Sequence, residues 1–286
     1  MTTPRCAQRA NILFVLVLLT ILAGCSSKGQ PAITSRAILD LHNASMGLPL
    51  DAYTMTSGQK GVVQAAQQIV FAQCILGTNQ VPTATIESAT SILHAAPSPD
   101  RWVYGYWDAT YIAANGLGSP WSSYSLGEGL TFTDQQGSDC AHTDKYLNLN
   151  VIDANSLSFD NNQDVQLLTS IGLAANSQTM GDSRFKELVK SRTACIENKG
   201  YSINSDSGFG SLAIPDDWST EQKLKAAITQ AQCSDEANFM QQAGDITATY
   251  QQIAIDAHQA ELASTQSLIR DRLAEAKTVL QEVGLM

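Results

Sequence analysis

The chain has 286 residues, an ordinary apolar content of 44%, and 17 Lys and Arg against 27 Asp and Glu, a formal net charge of −10. This length holds one sizeable domain or two small ones. An acidic chain without a basic run repels nucleic acid, which excludes nucleic-acid binding as a function class.

Arg5 and Arg9 open the chain as a short basic segment without acidic residues. Ile12 to Leu22 follows as hydrocarbon broken only by Thr20. That run is too short to cross a bilayer as a helix and the right length for the core of a cleaved export signal. Ala23 and Gly24 are small enough to lie extended in a peptidase groove, and Cys25 offers a thiol that can take a diacylglyceryl group. Leu22-Ala23-Gly24-Cys25 resembles the lipobox of bacterial lipoproteins. The resemblance implies a signal peptide over 1–24, with Cys25 as a lipidated N-terminus on the outer face of the cell membrane. Losing Arg5 and Arg9 with the signal takes the net charge from −10 to −12. Acyl chains contribute about 0.8 kcal/mol per buried methylene, and two chains anchor stably where one does not. Residues 25–47 are expected to be the lipidated N-terminus and a leash, with a short amphipathic piece around Ala37 to Leu41.

Cys6 leaves with the signal and Cys25 is assigned to lipid, so Cys74, Cys140, Cys195 and Cys233 remain. An even number in an exported chain implies disulfides, and four cysteines allow three connectivities. The favoured one is nearest-neighbour, Cys74–Cys140 and Cys195–Cys233, because it staples each half within itself: 48–180 and 181–286. Each bridge stabilises by about 2–4 kcal/mol. A zinc site fails on spacing, since no two of these cysteines are close and no His stands at ligand distance along the chain. No metal or cofactor is expected.

Leu48 to Tyr53 reads as an extended apolar lead-in. A helix is predicted from Ser57, with Val62, Ala66 and Ile69 on one face, ending near Gly77 as a left-handed cap. A second is placed around Ile86 to His94. The middle, roughly 113–182, is rich in Gly, Ser, Asn, Asp and Gln and reads as loop. Its exceptions are short helices over Trp107 to Asn115 and Asp164 to Ala175. Arg184 to Lys199 is helical, and Pro215-Asp216-Asp217-Trp218 breaks the chain. From Glu221 to Val283 the helical signal scarcely stops. Phe239, Ala243, Ile246, Tyr250, Ile253, Ala257 and Ala260 form a stripe. Leu262, Ile269, Leu273, Ala276 and Leu280 continue it two positions out of phase. About 50 residues of helix would measure about 75 Å, so the segment must pack along another helix, bend or project. The fold class is mainly α: a helical N-terminal half with irregular loops, then a disulfide-stapled helical hairpin with a very long last helix.

Leu48-Pro49-Leu50-Asp51-Ala52-Tyr53, the helix leading to Cys74, the Tyr104-Gly105 element, Ala194-Cys195-Ile196 with Gly200-Tyr201, and the Gln/Ala-rich helix after Cys233 carry a second resemblance. Together they are similar to a family of uncharacterised actinobacterial lipoproteins. The resemblance covers most of the chain after the signal, and implies location and cysteine framework without adding catalytic residues. An aromatic residue usually stands three positions before the third cysteine in that family; here the place is Arg192.

Catalytic patterns do not assemble. Ser57-x-x-Lys60 and Ser183-x-x-Lys186 fit the first element of penicillin-interacting acyl-enzymes, and Ser202-Ile203-Asn204 the second, but the Lys-Thr-Gly strand is missing. Asp160 to Asp164 resembles half a calcium loop, with Val165 where Gly is needed and Ile171 where Glu belongs. His42, His94, His142 and His258 are scattered. Trp102, Tyr104, Tyr106, Trp107 and Tyr111 concentrate the aromatic content; they suit a core, and if exposed they could stack on cell-wall sugars. The favoured function is a non-enzymatic interaction or structural protein of the envelope. It would be membrane-held through its lipid, present the stripe to an envelope protein partner and have no assigned small-molecule ligand. The alternative is a carbohydrate-binding module built on the aromatic cluster, with Trp102, Tyr104, Tyr106 and Trp107 as contacts.

Overall fold

A computed structural model describes residues 30–42, 44–94, 104–117, 126–127, 129–153 and 162–286. The first element among the described residues is a hairpin. β1 (Ile38–Asp40) and β2 (Ser45–Gly47) pair antiparallel with Leu39 opposite Met46. The piece expected around Ala37 to Leu41 is therefore an arm of a hairpin, and its amphipathicity has the period of a strand: Ala37 and Leu39 turn inward and Ile38 outward. Pro49–Tyr53 is a turn of 3₁₀ helix rather than an extended lead-in. Pro49 suits a first helical position, and the Asp51 carboxylate accepts from the Leu48 amide at 2.7 Å.

Helix α1 (Ser57–Leu76) begins at a capping box. Gln59 N–H donates to the Thr56 hydroxyl, and the Gln59 side chain accepts from Thr56 N–H. It ends on Gly77 at φ 60°, as read from the sequence. α2 (Thr83–His94) and α3 (Ala109–Asn115) also follow expectation, α3 starting on the Asp108 carboxylate and ending at Gly116. The loop expected in the middle contains two further helices, α4 (Asp134–Ala141) and α5 (Asp144–Leu147). Both are polar and buried on few residues, so they lack an apolar period. Thr133 with Gln136, and Thr143, supply their N-caps instead. α6 (Gln163–Gly181) outlasts its predicted end and meets α7 (Ser183–Asn198) at Asp182, which closes one helix and caps the next.

The stretch after the Pro215 break is three helices: α8 (Thr220–Glu236), α9 (Phe239–Ala257) and α10 (Gln259–Glu282). Of the options for a long helix, the chain bends. Asn238 sits in the left-handed region at φ 45° and breaks it once, which a short polar side chain tolerates. His258 at φ −130° breaks it again.

The whole is mainly helical, with ten α-helices among the described residues and two cysteine pairs at disulfide distance. α10 packs against α1, α9 against α6 and α7, α8 against α3 and α7. The largest apolar cluster draws Val63, Ile69 and Val70 from α1, Leu168 and Ile171 from α6, and Leu262, Val279 and Leu280 from α10. Residue 181 thus marks a turn between helices, while the core spans both halves, and Ile33–Met286 forms one compact unit.

Candidate functional site

Four cysteines fall into the expected pairs. Cys74, in the last turn of α1, joins Cys140 of α4 with Cα atoms 5.7 Å apart. Cys195 of α7 joins Cys233 of α8 at 5.6 Å. The first bridge pins α1 to α4, whose buried residue is Cys140 itself. Cys25 and Trp102 lie outside the described residues.

Of the two readings of the aromatic cluster, core and sugar-stacking surface, Tyr104 and Trp107 follow the first. Tyr104 and Trp107 are only 3% and 2% exposed, so neither offers a face for stacking on sugar. Tyr104 packs its ring against Phe185, Phe209 and Phe239 with centroids 5.6, 5.6 and 6.0 Å away. Its hydroxyl meets Thr247 Oγ1 at 2.6 Å, and Thr247 in turn meets Thr179 at 3.1 Å. Burial pushes the Tyr104 phenol up, against the lowering hydrogen bond from Thr247. Tyr106 is half-buried and its carbonyl accepts from Gln230 Nε2 at 3.2 Å. These rings fill a core poor in large aliphatics, which follows from the apolar area each one removes from water.

Arg192 is fully buried beside this cluster. Nη1 donates to the Tyr104 carbonyl at 2.8 Å, Nη2 donates to the Phe209 carbonyl, and the guanidinium stacks on Phe239. Burial pulls its pKa down to about 9, which leaves it cationic at neutral pH. Among the described residues no carboxylate pairs with it. Carbonyl dipoles and a ring face do the compensation. An arginine thus occupies a core position among aromatic rings.

Asp182 is a second buried charge. Its carboxylate accepts from Arg184 N–H, Nε and Nη2 and from the Tyr250 hydroxyl at 3.0 Å. Burial raises its pKa, but the Arg184 and Tyr250 hydrogen bonds outweigh that and hold it below the ordinary aspartate range. Sequence reasoning missed this node, although Asp-Ser-Arg between two apolar periods is a helix-start signal.

The remaining candidates disperse. Lys60 pairs with Asp153. Lys186 is exposed on α7. Asn162 from the calcium-like stretch caps α6 by accepting from Asp164 N–H at 2.9 Å, and Asp160 and Asn161 lie outside the described residues. His94 and His142 each bond a carbonyl of their own helix. Among the described residues no group of His, Cys, Asp or Glu is placed to hold a metal. None of their helices is long and apolar enough to cross a membrane.

The long stripe is mostly interior. Phe239, Ala243 and Ile246 are buried, as are Leu262, Ile269, Ala276 and Leu280, while Leu273 is half-buried against the same cluster. Ile253 and Ala257 are exposed. Compared with protein-family models, curated proteins and solved structures, the chain matches none.

Proposed function

We propose that the chain is an exported lipoprotein, held on the outer face of the cell membrane by Cys25, and that its helical body is a non-enzymatic interaction or structural element of the envelope. The observation that carries this reading is the order of the first 25 residues: Arg5 and Arg9, the apolar run to Leu22, then Ala23-Gly24-Cys25. Two cysteine pairs at disulfide distance support an oxidising destination. The body offers rigidity: Arg192 and Thr247 spend their donors on backbone carbonyls, and Asp182 is held by Arg184 and Tyr250. On this reading the chain joins the actinobacterial lipoproteins it resembles. With most of the stripe buried, an envelope partner would meet exposed faces instead.

The test is metabolic labelling with an alkynyl palmitate in cells expressing wild type and Cys25→Ala. Label on the mature wild type and none on the variant, which accumulates as precursor, is the expected result. Equal labelling of both, or none on the wild type, would remove the lipoprotein reading.

A further inference from the structure

Within the stretch expected as a leash, the chain is tied down from Thr34 onward. Thr34 and Ser35 N–H donate to the Thr249 hydroxyl at 3.2 and 3.4 Å, and Ala37 N–H donates to Asp245 at 2.9 Å. Gln241 Nε2 donates to the Ala37 carbonyl at 3.0 Å. Gln241, Asp245, Thr249 and Ile253 are spaced by four, one row along α9. The segment therefore runs antiparallel along that row, with Ile33 at the end where Ile253 continues it.

Alternation along this segment sorts its side chains. Ser35, Ala37 and Leu39 turn inward while Thr34, Arg36 and Ile38 are exposed. Ile38 is 76% exposed, and Leu41, in the hairpin turn, 67%. Ile33 and Ile253 are exposed as well. Ile33, Ile38 and Leu41 thus lie exposed along the docked N-terminal segment and its hairpin with the cation Arg36 among them, and Ile253 lies exposed on the α9 row along which that segment runs. Between Cys25 and Ile33 there are eight residue steps, which reach about 29 Å at most when fully extended.

We infer that this face is a membrane-docking surface, on which Ile33, Ile38, Leu41 and Ile253 enter the interfacial layer of the same bilayer that holds the Cys25 lipid. The inference rests on the lipoprotein reading. A tether this short keeps the face near the bilayer at high effective concentration, so modest apolar burial suffices to hold it there. Arg36 meets phosphate headgroups among the apolar contacts. The carboxylates on these elements are engaged: Asp40 with His42 N–H, Asp245 with Ala37 N–H and Gln241, and Asp256 with Gln252.

The experiment uses the full lipidated protein in vesicles of phosphatidylethanolamine and phosphatidylglycerol doped with a diazirine acyl-chain phospholipid. After irradiation, labelled peptides are located by mass spectrometry. Label concentrates on peptides containing Ile33 to Leu41 and Ile253, and spares those containing Leu76 and Leu173, apolar residues exposed on α1 and α6. In the variant carrying Ile38→Glu, Leu41→Glu and Ile253→Glu, label on these peptides falls by about tenfold while the Cys25 lipid is retained. A lipidated wild type labelled evenly, or chiefly at Leu76 and Leu173, overturns the docking face alone. A wild type without lipid on Cys25 overturns the anchor and the docking face together.

Discussion

The Arg192 guanidinium carbon stands 3.7 Å from the centroid of the Phe239 ring. With the carbonyls of Tyr104 and Phe209 on its edge, it ties α7 and α9 to the two irregular segments that hold those residues. A planar fork can serve both carbonyls at once, whereas an ammonium is a single point. Arg192→Lys should therefore lower stability by about 2 kcal/mol, and Arg192→Met, which leaves both carbonyls unpaired, by about 2–4 kcal/mol. Urea unfolding followed by circular dichroism measures both. A Met variant as stable as wild type would show that the cation contributes only its volume.

Asp182 gives a pH signature. Its pKa is lower in the folded chain than the ordinary 3.8, so its contribution is fully present above about pH 4 to 5 and fades as pH falls through the depressed folded value. Asp182→Asn also removes the charged cap of α7, which at pH 7 should cost about 1–2 kcal/mol. The difference between variant and wild type should then shrink below pH 3.8. Thermal unfolding across that range settles it, and a gap constant with pH would mean that the carboxylate's charge is irrelevant.

Where local chemistry and apolar period agreed, the helices could be read directly. Thr56-x-x-Gln59 opens α1 and Gly77 closes it, with Val63, Ala66 and Ile69 buried between. Where they disagreed, elements were missed. α4 buries little beyond Cys140, so only its Thr133 cap could have announced it. The phase shift between Ile253 and Leu262 was visible as a change of stripe. Placing the break at His258 required the packing of α10 on α1. The aromatic cluster was legible as a concentration of rings, but its exposure was not, because that depends on Phe185, Phe209 and Phe239 arriving from distant parts of the chain. Arg192 is the extreme case, since no local pattern distinguishes a surface arginine from one buried in the core.

The cysteine pairs give a third prediction. Non-reducing peptide mapping should find Cys74 linked to Cys140 and Cys195 linked to Cys233, with no free thiol among the four. Replacing Cys195 and Cys233 together by Ala should cost about 2–4 kcal/mol in urea unfolding. A crossed linkage in the mapping would contradict the helix pairings α1 with α4 and α7 with α8.

The last prediction concerns the phase change at His258. On α9 the row that holds Ile253 has left the core, and Ile255 is buried in its place. Beyond the break, Leu262, Ile269 and Leu280 carry the buried face against α1. If the two halves of the stripe belonged to one straight helix presented to a partner, truncating Ile253 and Leu280 would have similar, small effects on the isolated protein. In the bent arrangement they differ sharply. Leu280→Ala opens a cavity in a fully buried site and should cost about 2–5 kcal/mol, whereas Ile253→Ala removes exposed surface and should stay within about 0.5 kcal/mol of wild type. Leu273→Gln, at a half-buried position, should fall between them. Urea unfolding of the three variants ranks them, and equal midpoints for Ile253→Ala and Leu280→Ala would rule out the packing of α10 on α1.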